Sequence, residues 1–520
     1  MKLRHINTTD IVDAIRLGCQ TMQSVFNRDD RDIPFFASQV RPQTYLGFSS
    51  GGSEGHVPGR HLNALLSAED IADIEIDEQA IEKHAIAAFF SFSGSLPLPL
   101  DRETIDGTLC HFFPHNLREG MHALYALVRY RDSQQARELA ERMINAIFRY
   151  WDPVHRWDAQ QLQDNFGIDI NDGTFITREG RVIGPLVKYY RATGYGPALE
   201  LALAMKEKAI GEFFREDGSY DPQTFGNHTH STTCVMSSLA QLADLMHDAS
   251  LLDLVRSFYD HGLWKIRDEL GWVIENANAS DAMSDRGEGN NTGDILETAL
   301  ILGQWGYSEY FHDAERILRC HLLPSQLRDN AFIQNPPNPD NEDGMRNVAE
   351  RHLGAFGFPA PYGHWPLGFE RVSFNMDIVG GVVGSLCEAL KQSVASTPAG
   401  HRVNLLFDRE TEAVDVESPY THDHLRITVK KPGPLWVRIP PWLGTQFKVN
   451  SEKDTLPSTS GYLYIAEPPL CAPMTVEFDL PLSELVLQHR LRDIRARLQG
   501  DQVVAMDHFG ADLTYFNAFD

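Results

Sequence analysis

The sequence predicts a mainly helical chain that ends in β structure: an (α/α)6 barrel followed by a C-terminal antiparallel β-sandwich. Three observations carry this. A unit of one apolar helix, a short turn and one charged amphipathic helix recurs along the chain. Turns inside each unit are short, while connections between units are long. After about Ala399 the pattern changes to short alternating runs such as HLRITVKK and GPLWVRIPPW, separated by Gly, Pro, Asn and Asp. The expected division is a helical catalytic domain over residues 1–395 and a sandwich over 400–520, with Ser393 to His401 as linker.

Taken in order, Asp10 to Phe26 reads as the first helix. The Gly-rich loop Ser49 to His61 follows, then HLNALL and DEQAIEKHAIAAFF as two more helices. The repeated unit is clearest four times, its apolar helices being Arg118 to Tyr130, Arg181 to Ala192, His230 to Met246 and Asp294 to Trp305. With Asp377 to Val394 the number approaches twelve helices. An apolar helix covered on most sides, paired with one that shows a face to water, predicts two concentric layers. The long connections, Asp152 to Gly180, Glu216 to Thr229, Asp268 to Gly293 and Pro324 to Ser373, all precede an apolar helix. They therefore fall on one rim, at the N-terminal ends of the inner helices, and this rim is the expected active face.

The formal charge is −26, from 46 Lys and Arg against 72 Asp and Glu. That balance opposes binding to nucleic acid or to an anionic membrane surface. No apolar leader and no membrane-length apolar run is present, so a cytoplasmic protein is the expectation. The six cysteines are scattered without a CxxC pair, which points to buried free thiols.

The rest of the chain is organised around Ser280 to Trp305, SDAMSDRGEGNNTGDILETALILGQW. A polar loop carries Asp281, Asp285 and Glu288 into an apolar helix that bears Asp294 and Glu297. Carboxylates gathered where a loop meets a helix start suit acid/base chemistry. Asp294 with Glu297 also fits a helix-capping box, and the two readings weigh equally. Aromatics crowd the rim loops, among them Trp272, Phe358, Tyr362 and Trp365. They suit the apolar faces of sugars as well as loop packing.

The runs LWVRIPPW, FKVN, GYLYI, VEFDLPL and QGDQVVAMDHFG, with HTHSTTCVMSSLAQLADL and GEGNNTGDILETALILGQW in the helical part, resemble the β-L-arabinofuranosidase superfamily of glycoside hydrolases, the family 127 type. The resemblance implies an (α/α)6 barrel joined to a β-sandwich. It puts Glu288 at the general acid/base, Glu297 at a zinc-ligating Glu, and His228 or His230 near a sugar-contacting His. The family's three thiols are replaced by Ala299, Phe374 and Asn375. One Glu cannot hold zinc alone, and no thiolate is left as nucleophile, so no metal and no cofactor are expected.

The function expected is a glycoside hydrolase that removes a terminal sugar from an oligosaccharide by paired carboxylates, metal-independent and inverting. Catalytic candidates are Glu288, Asp285, Glu297 and Asp377. Substrate-binding candidates are His228, His230, Asp294, His364, Trp365, Arg371 and Asn375. The alternatives are a uronic-acid lyase, an unsaturated uronyl hydrolase or a sugar epimerase on the same ring, and a non-catalytic carbohydrate-binding relative. Homo-oligomerisation is left open.

Overall fold

The computed structural model describes residues 1–170, 173–443, 447–450 and 458–519. Among the described residues are twelve helices of nine residues or more: α1 (Ile11–Met22), α2 (Val57–Ala72), α3 (Glu78–Ser91), α4 (Leu117–Arg131), α5 (Gln134–Tyr150), α6 (Ile183–Thr193), α7 (Gly196–Glu212), α8 (Thr229–Met246), α9 (Ala249–Asp260), α10 (Gly289–Gln304), α11 (Glu309–Ile317) and α12 (Met376–Ser393). Helices α2, α4, α6, α8, α10 and α12 touch in cyclic order, and α12 returns to α2. The other six lie outside this ring. Helix α3 packs on α2, α5 on α4, α7 on α6, α9 on α8 and α11 on α10, while α1 packs on α12.

Side-chain patterning explains the two layers. In α5 the buried Ala136, Ala140, Met143, Ile144 and Ile147 repeat at helical spacing, with charged residues between them. In α8 nearly every residue from Thr229 to Ala243 is buried, as an inner helix requires. Close approach is built from glycine. A Cβ on Gly59 of α2 would stand 1.8 Å from the carbonyl oxygen of Glu119 in α4. One on Gly380 of α12 would stand 2.9 Å from the backbone carbon of Arg60.

Helix α10 starts at Gly289, five residues before the expected Asp294. The NNT run looks like loop in sequence, but its polar groups are met from neighbouring segments. Asn291 donates to the Thr229 hydroxyl at 2.9 Å, and Thr292 donates to the Gly271 carbonyl at 2.9 Å. Asp294 is therefore inside the helix and caps nothing, and Glu288 occupies the N-cap position with extended backbone.

Beyond α12 the chain is mostly strand. The segment expected as linker is a hairpin, Val394–Thr397 with Gly400–Val403, that follows α12 directly. One five-stranded sheet runs in the order Ser458–Thr459, Tyr462–Ile465, Leu435–Arg438, Gly400–Val403, Val394–Thr397. Within it, His401 to Val403 pair in parallel with Leu435 to Val437. A second, antiparallel sheet runs Arg409–Glu410, Val414–Glu417, Leu425–Val429, Pro473–Glu477, Lys448–Val449. Of the FKVN run, Lys448 and Val449 form a strand of this sheet. Val403, Leu435, Val437 and Leu463 from the first sheet share one apolar cluster with Val414, Ile427, Met474 and Val476 from the second. A separate three-stranded sheet, Leu482–Gln488, Asp493–Gln499 and Gln502–Met506, packs instead with Leu327, Phe374 and Met376 of the helical part.

Four of the six free cysteines are buried: Cys19, Cys234, Cys320 and Cys387. Among the described residues, no helix is long and apolar enough to cross a membrane.

Gly59→Ala is expected to destabilise the fold by about 1–3 kcal/mol, because backbone rather than a flexible side chain opposes the new methyl. Urea unfolding followed by circular dichroism measures this, and a midpoint equal to that of the native protein would refute the tight α2–α4 crossing.

Candidate active site

The N-terminal ends of five inner helices converge on one cavity of about 150 Å³. His56 and Arg60 reach it from the start of α2, His115 from just before α4, and His228 and His230 from the start of α8. Glu288 comes from the cap of α10, and Asn375 and Asp377 from the start of α12. Phe36, Phe113, Phe358 and Ile378 supply apolar wall, and Glu275 completes the polar lining. The cavity is smaller than the ~300–1,000 Å³ of drug-sized pockets, so it suits one small ring rather than a chain of them.

Local pairing sets the acids. Ile274 bridges Gly287, and the Glu275 N–H donates to the Arg286 carbonyl at 2.9 Å. The Thr229 N–H in turn donates to the Glu275 carbonyl at 3.2 Å. Three chain segments thus lie side by side and bring His228, Glu275 and Glu288 to one wall. The N–H groups of Gly287 and Gly289 donate to the Pro359 and Gly357 carbonyls, at 2.8 and 3.1 Å, and fix the backbone on either side of Glu288.

Beneath the cavity lies a buried charge network. Glu119 sits 3.0 Å from both Arg60 and Arg181 and 3.2 Å from Arg118. Burial raises its carboxyl, but the charges of Arg181, His56, Arg60 and Arg118 outweigh that and hold it well below the ordinary carboxylate range. Arg60 passes the network on to Asp377, whose Oδ2 is 3.0 Å from the guanidinium and 3.2 Å from His56 Nε2. Asp377 also ends below its ordinary value, because Arg60 and His56 outweigh burial. Its other oxygen, Oδ1, is buried without a hydrogen-bond partner.

The acids beside His228 are poised differently. Burial pushes the Glu275 carboxyl up to about 7, with the Arg286 charge pulling it down and Glu288 pushing it up. Arg286 is paired with Glu275 and stacks 3.8 Å over the Phe358 ring. Glu288 stands 3.5 Å from His228 Nε2 and 3.5 Å from His230 Nδ1, and accepts from Asn290 at 2.8 Å. Burial raises its carboxyl, but the nearby His228 imidazole and the charge of Arg60 leave it lowered overall. His230 is held neutral by burial and by the charges of Arg60, Arg181 and Arg118. Rings of His56, His115, His228 and His230 form a row at centroid spacings of 5.5, 5.5 and 5.6 Å.

Of the residues singled out in the sequence, Glu288, Asp377, His228, His230 and Asn375 line this cavity. Asp294 lies one layer below, 3.4 Å from His230 Nε2, and accepts from the Thr233 hydroxyl at 2.9 Å. The others are seated elsewhere. Asp285 is fully buried and accepts from the Tyr362 hydroxyl at 3.1 Å, with Arg492 at 3.8 Å. Glu297 accepts from Ser237 at 3.2 Å and Ser385 at 2.8 Å, and lines a cavity at the opposite mouth with Arg129, Lys188 and Lys391. His364 is buried against Tyr515, Trp365 lies under the Arg41 guanidinium at 4.9 Å, and Arg371 is exposed. None of these five is on the lining.

Glu275, Arg60, His56, His115 and Glu119 escaped the reading of the sequence. The signals were slight: a charged pair, Arg118-Glu119, at the start of an inner helix, and His56 and Arg60 within GHVPGRH. Glu275 follows an apolar run and reads as loop.

The zinc of the resembled family does not fit here. Ala299, Phe374 and Asn375 offer no thiolate, and the Glu297 carboxylate is taken by two serine hydroxyls.

Solved structures place the whole chain in context. A GH127 β-arabinofuranosidase matches with a TM-score of 0.57 and 13% identity, over 95% of this chain and 80% of that one. A sugar epimerase from a ruminal bacterium matches with a TM-score of 0.51 and 11% identity, over 73% of this chain and 99% of that one. No protein-family model and no curated protein sequence matches. A GH127 β-L-arabinofuranosidase from Geobacillus stearothermophilus T6 matches with a TM-score of 0.59 and 14% identity, over 95% of this chain and 80% of that one, so the chain resembles the family 127 β-L-arabinofuranosidases in fold over nearly its whole length.

Proposed function

We propose that this protein is a glycoside hydrolase that removes one terminal sugar, with Glu275 as proton donor and Asp377 as the ionised carboxylate opposite. The cyclic contacts of the six inner helices support reading the first 395 residues as an (α/α)6 barrel, and the shared cluster of two five-stranded sheets supports a β-sandwich after residue 400. The observation that carries the proposal is the difference between two acids on one cavity. Glu275 is raised to about 7 and Asp377 is lowered. Glycoside hydrolysis needs one carboxyl protonated at the leaving oxygen and another ionised on the far side of the ring.

The donor role first given to Glu288 passes to Glu275, because the charges around Glu288 keep it ionised. Asp377 has one oxygen fixed by Arg60 and His56 and the other unpartnered. That arrangement suits it to orient and deprotonate a water molecule, which is the inverting course. Phe36, Phe113 and Phe358 offer apolar faces to the sugar ring. The N-terminal ends of the inner helices add positive potential around the cavity, which favours oxygen-rich and anionic groups.

A second reading, a sugar epimerase, rests on His115 and His230. Both are kept neutral in the same wall, and neutral imidazoles can relay protons. A screen of chromogenic pyranosides, furanosides and unsaturated uronides separates the two. Release of chromophore supports the hydrolase, and a changed epimer without cleavage supports the other.

With the best substrate, Glu275→Gln and Asp377→Asn should each lower kcat by about 10²–10⁴-fold. Near-native rates in either variant would remove that residue from the pair. The profile of kcat/KM should fall as pH rises through about 7, where Glu275 loses its proton. It should fall again at low pH, where Asp377 gains one. In Glu275→Gln the alkaline limb should be absent, and its persistence would assign that limb to another group. Proton NMR at early times should show the product with inverted anomeric configuration; a retained configuration would make Asp377 a nucleophile instead.

A further inference from the structure

We infer that His228, His230 and Glu288 form a site for one divalent transition-metal ion, zinc foremost, with an open position facing the cavity. The three side chains each offer one ligand atom, and these atoms lie within 4.8 Å of one another. His228 Nε2 stands 3.5 Å from Glu288 Oε2 and His230 Nδ1 stands 3.5 Å from Glu288 Oε1, both too long for good hydrogen bonds. Each imidazole is thus one ligand–ligand edge away from its own oxygen of the shared carboxylate. Two N or O ligands about 2.0–2.2 Å from one zinc ion, at the tetrahedral angle, lie roughly 3.3–3.6 Å apart. Two imidazoles and one carboxylate also form a ligand set in which zinc keeps a fourth position for water or substrate.

The surroundings fit this reading independently. A ligating imidazole is oriented by what its other nitrogen meets. His228 Nδ1 is 2.9 Å from the Ser231 hydroxyl, which leaves Nε2 free to turn towards Glu288. His230 Nε2 faces the Asp294 carboxylate at 3.4 Å, and Asp294 is itself fixed by the Thr233 hydroxyl at 2.9 Å. His230 Nε2 is buried and has no hydrogen-bond partner at that distance. A metal on Nδ1 would draw the ring into register with Asp294. Arg60, which lines the same cavity, is already committed to Glu119 and Asp377.

The HxH spacing placed both histidines at one helix start. The third ligand comes from the cap of α10, some sixty positions on in sequence. This ligand set shares no residue with the thiols and Glu297 that the family resemblance implied.

The inference stands apart from the hydrolase reading, and its test uses metal content rather than turnover. The purified full chain would be stripped with a chelator, reloaded with zinc sulfate and desalted. Its metal would then be counted by mass spectrometry, and its affinity measured by competition with a chromogenic chelator. About one zinc per chain is expected. His228→Ala and Glu288→Gln should bind at least tenfold more weakly, and Asp294→Asn about 10–100-fold more weakly. Glu275→Gln and Asp377→Asn should bind as the native chain does. The cobalt-loaded native protein should show the intense visible bands of a tetrahedral site. Less than a tenth of an equivalent in the native chain, or undiminished zinc in both His228→Ala and Glu288→Gln, would overturn the site. Circular dichroism of each variant keeps loss of fold from being read as loss of a ligand.

Discussion

The site depends on the clamp at Glu119. A single carboxylate, fully buried, holds Arg60 of α2, Arg118 of its own helix and Arg181 from the turn before α6. Isolated, any of these charges would be very costly in such surroundings. Together they tie the starts of three neighbouring inner helices at one level. They also determine what the cavity above can do, since Arg60 has one face on Glu119 and the other on Asp377. Loss of Glu119 would leave three guanidinium groups buried around a cavity whose acids are tuned by their charge.

Two sources of potential meet there. The helix starts and arginines favour ionised carboxylates, and burial opposes them. The outcome differs residue by residue. Glu119, Asp377 and Glu288 are close to arginine or histidine and end low. Glu275, although paired with Arg286, and Asp294, 3.6 Å from Arg118, end near 7 because burial outweighs those charges. A cavity wall with both kinds of acid can give a proton at one point and receive one at another.

Much of the helical architecture was legible because inner helices are apolar on most sides while outer ones are apolar on one face. The pairing of α1 with α12 was not legible, because the two stand at opposite ends of the helical part in sequence. Within the site, Glu288, His228 and His230 were visible through their clustering at predicted helix starts. Glu297 was misleading for a geometric reason: nine residues of helix carry it roughly 13 Å along the axis from Glu288, to the other mouth. Asp285 is three residues from Glu288 but precedes an extended segment, and it turns into the protein towards Tyr362. Glu275 and His56 could not be recognised from their own neighbours in sequence, because their chemistry comes from segments brought together only by the fold. Trp272 ties two rim loops together by donating to the Pro359 carbonyl at 2.9 Å.

The packing of α1 on α12 has a consequence for assembly. Some 350 residues separate the two helices, so a chain leaving the ribosome carries the apolar face of α1 without its final neighbour until α12 emerges. Intermediate lengths can stack adjacent helix pairs into an open arc, but the circle closes last, and the Arg60–Asp377 contact forms with it. The tuned pocket therefore appears in a single late event, and a nascent arc with a bare α1 face is the species a chaperone would have to shield.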